Sequence, residues 1–284
     1  MSATNYSHIE VSPVSPVLGA EIFGVDLSRK LSPETLSEIK DAFNRYSVIF
    51  FRDQKLTSRQ YIRFAQLWGE INVNRFFNSV NDFPEIALVV KEAEHRDTLG
   101  GGWHTDHSYD IAPAKCSILY AIDVPIVGGD TLYASMYAAC DGLSSSMRKK
   151  LESLQAWHSS RHAFGSIQRE SEAYKDGRLK NSEEATQDAS HPVIICHPIT
   201  GKKALYVNEG FTVRFCGWTQ EESQDLLNYL YQHGSKHEYQ YRFKWSNGSL
   251  AIWDNLATWH CGTNDYHGQR RELHRITIEG IPIS

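Results

Sequence analysis

His104 and Asp106 stand two residues apart in Trp103-His104-Thr105-Asp106. On an extended chain, residues i and i+2 project to the same side. An imidazole and a carboxylate would then aim at one point while Thr105 faces away. Such a pair is two-thirds of the facial triad of two histidines and one carboxylate. That triad leaves three octahedral positions open and suits an iron(II) ion that binds a chelating cosubstrate and O2. The third ligand can lie far off in sequence. His260, which follows Trp253-Asp254-Asn255-Leu256-Ala257-Thr258-Trp259 and precedes a glycine-containing loop, is the candidate. With 13 histidines in the chain, one His-x-Asp triplet is a weak pattern on its own. His107 competes with His104, but one residue past Asp106 it would face away, as a neighbour of the site or a surface residue. Zinc takes the same donors, so ligand types alone leave open a zinc hydrolase or a metal-binding barrel without catalysis.

A second group of residues could hold an anion. In Gln269-Arg270-Arg271-Glu272-Leu273-His274-Arg275-Ile276-Thr277-Ile278, a strand would put Arg271 and Arg275 on one face. Two guanidiniums turned into a β-barrel need negative partners, because a buried charge that lacks one costs about 3–5 kcal/mol. The arginine fork binds a carboxylate bidentately, so an anionic ligand fits. Internal carboxylates such as Glu209 or Asp254 are the alternative partners. Gly128-Gly129-Asp130-Thr131-Leu132 adds a tight approach of backbone and then Thr131, whose hydroxyl could serve the same anion; a plain turn before a strand is the simpler alternative.

The elements that must position these groups are legible from periodicity. Ser32 is an N-cap, Pro33 sits at the first helical position, and a periodic run reaches Tyr46. Residues 47–52 read as a buried strand and 58–68 as an amphipathic helix. From about residue 85 the chain is strand-rich, with strands expected at 86–90, 116–122, 131–135, 193–197, 204–207, 250–253 and 274–278. A hairpin turn falls at 198–202, and helices fall near 143–154 and 219–232. Many short strands with a few helices predict a mostly β, α+β chain built on a double-sheet barrel. The polar stretch 166–190 reads as an insertion or lid. The chain of 284 residues is 41% hydrophobic and 22% charged, enough to bury a core. A net charge of −5 argues against nucleic acid as the main partner and against an anionic membrane surface. No apolar run approaches the ~18 residues that span a bilayer, and Met1 to Val14 lacks the apolar core of a signal peptide. Five cysteines without a Cys-x-x-Cys spacing read as reduced thiols of a cytoplasmic protein. A small molecule is the expected partner, with a second copy of the chain left open.

In this order, the segments resemble the taurine dioxygenase family of iron(II)- and 2-oxoglutarate-dependent oxygenases, which also contains phenoxyacetate dioxygenases and alkylsulfatases. The matching pieces are 103–106, Gly128-Gly129-Asp130-Thr131, Val207-Asn208-Glu209-Gly210-Phe211-Thr212, Ile252-Trp253-Asp254-Asn255, and His260 through 269–275. Gly19 to Leu27 and Val48 to Gln54 extend the likeness over nearly the whole chain. The resemblance implies one domain over 1–284 with a double-stranded β-helix (jelly-roll, cupin-like) core. It implies iron on His104, Asp106 and His260, with no catalytic residue beyond the ligands, and 2-oxoglutarate held by Arg271 with help from Thr131. It implies O2 as the oxidant and substrate contacts from Arg275 and Phe211. The arginine that matches Arg275 meets the sulfonate in taurine-specific members, which implies an anionic substrate. Those members carry Asn at the position of Gly100, and 73–77 lacks an expected His and offers Asn74 instead. These departures count against taurine itself, and Gly100-Gly101-Gly102 implies a wider mouth. Residues 157–162 lie where the family places substrate contacts, a polar strand end or loop being the alternative. The implied reaction is hydroxylation with release of succinate and CO2; desaturation or ring closure by the same chemistry is the alternative. An Asp ligand counts against halogenation, because halogenating relatives lack it.

Overall fold

Strands that read as continuous apolar runs, such as Val48-Ile49-Phe50-Phe51, must be covered on both faces. The computed structural model describes residues 6–283 and shows what covers them. In chain order the elements are β1 (Glu10–Pro13), β2 (Ala20–Phe23), α1 (Pro33–Tyr46), β3 (Val48–Phe51), α2 (Ser58–Gln66), β4 (Ile71–Asn72), β5 (Ser79–Val80) and β6 (Phe83–Lys91). There follow β7 (Cys116–Asp123), β8 (Thr131–Ser135), α3 (Met136–Asp141), α4 (Ser145–Leu151), β9 (Gln155–Ser159), α5 (Arg161–Phe164), α6 (Glu172–Lys175), β10 (Asp188–Pro192), β11 (Ile194–Cys196) and β12 (Lys203–Leu205). The chain ends with β13 (Thr212–Phe215), α7 (Gln220–Gly234), β14 (Gln240–Phe243), β15 (Leu250–Asp254), β16 (Thr258–Gly262) and β17 (Arg271–Ile278). Residues 1–5 of the polar stretch that argued against a signal peptide lie outside the described residues.

Among the described residues, the main sheet has nine strands in the order β1-β2-β3-β15-β7-β17-β6-β5, with β4 also paired to β17. Its pairs are antiparallel except β2 with β3. A second sheet, β14-β8-β16, lies against it. The period-two rule decides which side chain goes where. Ile49, Phe51, Ile118, Tyr120, Leu250, Ile252, Ile276 and Ile278 face α1 and α2, where they meet Ile39, Phe43, Phe64 and Trp68. The alternate residues Val48, Phe50, Leu119, Ala121, Ala251, Trp253 and Leu273 face the other way and pack on Tyr133, Phe243 and Trp245 of the second sheet. The same alternation sends Arg271 and Arg275 into the space between the sheets. This is the mostly β architecture with flanking helices that the sequence predicts; the sheets do not close into a barrel.

Local chemistry sets the helix ends. The Ser32 hydroxyl accepts from the Thr35 N–H, Pro33 opens α1, and Ser47 ends it at φ 63°. Thr57 and Gln60 form a capping box on α2, which stops at Gln66 rather than 68. The expected helix at 143–154 is α4 alone, and α3 precedes it. The break falls at Gly142, where any side chain would collide with the Tyr239 hydroxyl. Within the described residues no helix is long and apolar enough to cross a membrane.

Candidate active site

His104 forms an isolated antiparallel β-bridge to His260 of β16, and a turn begins at Asp106. His104 N donates to the His260 carbonyl at 3.1 Å and His260 N donates to the His104 carbonyl at 2.8 Å. His260 lies in the middle of β16, where sequence reading put it after a strand. These reciprocal bonds hold the two rings 4.1 Å apart, centroid to centroid. Asp106 completes the group: its Oδ1 is 4.0 Å from His104 Nε2 and its Oδ2 is 3.9 Å from His260 Nε2. One ligand atom from each of the three residues lies within 4.8 Å of the others. His104 Nδ1 lies 2.7 Å from the Gly102 carbonyl, which fixes the proton on Nδ1 and turns Nε2 inward as an acceptor. Burial, the largest influence, lowers the pKa of both imidazoles, so they sit in the neutral, ligating form. Burial opposes ionisation of Asp106, but the Arg275 guanidinium outweighs it and holds the carboxyl well below the usual carboxylate range. Two neutral imidazoles and one carboxylate at this spacing fit iron(II).

Around the triad is a cavity of about 330 Å³, bordered by His104, Asp106, His260, Thr131, Arg271, Arg275, Phe211, Asn74 and Gly100 but by none of 157–162. Arg271 is 4% exposed, and its Nε has no hydrogen-bond partner among the described residues. Neither Glu209 nor Asp254 meets it: Asp254 is taken by His197 at 2.9 Å. Burial pushes the guanidinium pKa down, with the Tyr266 and Tyr133 phenols opposing it. Beside it, Thr131 opens β8. The Thr131 hydroxyl accepts from Trp245 Nε1 at 3.0 Å, so its own proton is free to be donated elsewhere. Gly129, at φ 67°, is required here: a Cβ would lie 3.1 Å from Arg271 Cδ. Gly128 N–Cα geometry is also left-handed, and the Gly129 N–H donates to Asp265 at 2.8 Å.

Within the chain, Arg275 meets the metal-site carboxylate. Its Nη1 donates to Asp106 Oδ1 at 3.0 Å, and its guanidinium lies 4.5 Å over the Phe77 ring. Phe211 packs edge-on against Tyr109 at 4.9 Å and near His104. Asn74 Oδ1 accepts from the Phe76 and Phe77 N–H groups, which leaves Nδ2 beside His107 Nε2 at 3.5 Å. Gly100 takes φ 75° and its carbonyl accepts from the Gly262 N–H. A Cβ there would reach within 3.4 Å of the His104 ring. In 157–162, His158 is buried away from the cavity and hydrogen-bonded to Ser108 at 3.1 Å. Ala163 and Phe164, just beyond, reach the cavity instead.

The geometry can now be set beside known proteins. Residues 10–277 match the family described as Taurine catabolism dioxygenase TauD, TfdA family. The chain belongs to that family. It is 34% identical to an alkylsulfatase of Acinetobacter baylyi over 93% of this chain and 82% of that protein. It is 34% identical to an alpha-ketoglutarate-dependent sulfate ester dioxygenase of Pseudomonas putida, over 99% of this chain and 93% of that protein. A crystal structure of a taurine dioxygenase from Burkholderia xenovorans superposes with a TM-score of 0.81 at 33% identity, covering 96% of this chain and 90% of that one. This TauD/TfdA member is a 2-oxoglutarate-dependent dioxygenase (2-oxoglutarate being alpha-ketoglutarate).

Several residues of this TauD/TfdA site escaped sequence reading. Ser117 Oγ donates to Asp106 Oδ2 at 2.6 Å, and Asn255 Nδ2 donates to Ser117 Oγ at 3.1 Å. Trp253 Nε1 holds Asn255 Oδ1 at 2.9 Å. Asn255 stands in a quoted motif, yet nothing in its type announces that it steadies a carboxylate through a serine. Ser117→Ala should weaken metal binding by about 10–100-fold with the fold retained, as read by metal titration beside a thermal melt. His107 is buried at φ 57°, with Nδ1 3.1 Å from Asp110. It turns toward the cavity rather than away, because a left-handed residue breaks strand alternation.

Proposed function

We propose that the chain binds iron(II) on His104, Asp106 and His260 and oxidises a small organic sulfate ester or sulfonate, using 2-oxoglutarate and O2. The observation that carries this reading is the pairing, in one cavity, of that neutral–neutral–anionic donor set with an arginine that forms no ion pair with any carboxylate among the described residues. Iron bound there would supply O2 activation, and the balance is substrate C–H plus O2 plus 2-oxoglutarate to hydroxylated substrate plus succinate plus CO2. The protein's own part is orientation and exclusion of water. Arg271 would take the distal carboxylate of 2-oxoglutarate in a fork, and Thr131 would donate its hydroxyl proton to the same group. Asp106, kept ionised by Arg275 and steadied by Ser117, would hold the metal's charge. Phe77, Phe164 and Phe211 supply an apolar wall for the body of the substrate. Asn74 and Arg275 lie at the polar side for its anionic head, and Gly100 leaves the mouth wide.

The chain 1–284 would act as one domain. The segment 166–190 would serve as its lid, since Gln168, Ser171, Ala173 and Leu179 close one side of the cavity. A cytoplasmic setting suits the five free thiols. A panel of sulfate esters, sulfonates, carboxylates and phenoxyacids tests the reading. Succinate formation coupled to O2 uptake should rise with sulfate esters or sulfonates; stimulation by phenoxyacids alone would reject that substrate class. No stimulation by any of them would reject the reading of the cavity.

A further inference from the structure

A second cation stands behind Arg271. Lys91 ends β6 and is the register partner of Arg271 on β17. Directly opposed residues of neighbouring strands share one face of the sheet. Alternation also puts Lys91 on the face of Val89, which borders the cavity as Arg271 does. Lys91 is 2% exposed, and its Nζ is buried without a hydrogen-bond partner among the described residues. The ammonium lies 4.2 Å over the Tyr266 ring, and the Arg271 guanidinium approaches that ring at 5.9 Å. The Tyr266 hydroxyl meets Thr98 Oγ1 at 3.0 Å.

Two like charges directly opposite on adjacent strands repel, and a buried ammonium without an acceptor is costly. The Tyr266 ring face offsets part of this. Asp97 also favours the charge, but Arg178 already holds Asp97 at 2.6 Å and opposes it. The chain's own groups therefore leave surplus positive charge at this end of the cavity, with Tyr266 as the hinge between its two sources.

We propose that Lys91, seated on Tyr266, is a positioning residue that adds charge behind Arg271 and makes the cosubstrate pocket select 2-oxo acids with an anionic tail. This rests on the reading of Arg271 as the cosubstrate clamp. Lys91 acts through Tyr266 and Arg271, not by touching the cosubstrate. The consequence is a discrimination ratio: 2-oxoglutarate against 2-oxopentanoate, which ends in a methyl group.

Calorimetric titration of the Mn(II)-loaded protein with each acid reads that ratio without turnover. Lys91→Met should weaken 2-oxoglutarate by roughly tenfold, as expected for a unit charge at partly screened range, and leave 2-oxopentanoate nearly unchanged. Lys91→Arg should keep the ratio. Unchanged 2-oxoglutarate binding in Lys91→Met, or equal weakening of both acids, would overturn the proposal; the second result would mean a merely structural role. Lys91→Gln reads the same ratio should the methionine variant not fold. Arg271→Ala separates the two readings. If it too leaves 2-oxoglutarate binding intact, the clamp itself is wrong; if only Lys91→Met does so, the clamp stands and Lys91 has no part in it.

Discussion

Asp106→Ala should cost the enzyme its activity by more than about a thousandfold and should destabilise the protein as well. The second effect comes from Arg275, which is buried and gives a hydrogen bond to Asp106 Oδ1. Removing one member of a buried pair leaves the other uncompensated, at about 3–5 kcal/mol. Ser117 loses its acceptor in the same step. Two measurements check this. Anaerobic addition of iron(II) and 2-oxoglutarate to wild type should give a weak visible absorption that the variant lacks, and the variant should melt earlier. A variant that keeps both the band and the melting temperature would remove Asp106 from the metal site.

Arg271→Ala should behave in the opposite way toward stability. Its guanidinium has no ion-pair partner among the described residues, so truncation relieves a buried charge instead of exposing one. The cosubstrate-free variant should melt no earlier than wild type. Function should suffer: losing one side of a desolvated charge pair costs about 2–5 kcal/mol. That corresponds to a rise in the 2-oxoglutarate requirement of about 30-fold to a few thousandfold at about 1.4 kcal/mol per decade. Initial rates of succinate formation across 2-oxoglutarate concentrations read it. An unchanged requirement, or a large drop in melting temperature, would mean that Arg271 serves the fold and not the ligand. The two substitutions lie in one cavity and predict opposite stability effects, so a general disturbance of packing cannot mimic both.

The strands that carry these residues were legible because burial imposes a simple period. Ile118, Leu119, Tyr120 and Ala121 alternate between two covered faces, and Arg271, Leu273 and Arg275 obey the same count. The helix at 33–46 announced itself by Ser32 and Pro33, and the one at 220–234, expected near 219–232, starts on a Thr219–Glu222 capping box. Less legible were the short strands, among them β1, β9 and β16, whose four or five residues carry too little periodic signal. The metal group was found by assuming strand alternation through 103–107. His104 lies in an antiparallel bridge to His260, and a turn begins at Asp106. His107 was assigned outward on the same assumption, and its left-handed backbone undid it. Arg275 could not be paired with Asp106 from sequence, since that contact depends on which strand lies beside which loop. Ser117 and Lys91 were invisible for the same reason: one is an ordinary strand serine and the other an ordinary strand lysine until the register is known.

The paired main-chain bonds between His104 and His260 make the spacing of two imidazoles a property of the peptide backbone. The bonds fix the separation of the two main chains, and the Gly102 carbonyl orients the His104 ring, so a change of wall residue alters what fits the cavity while this backbone tie stays in place. Part of the wall comes from elsewhere, from 73–77 and from the segment between Ala163 and Leu179. Chemistry and selectivity are thus written on separate parts of the chain. Substrate range can be altered along the wall as an independent variable, with the oxidising centre held as a constant.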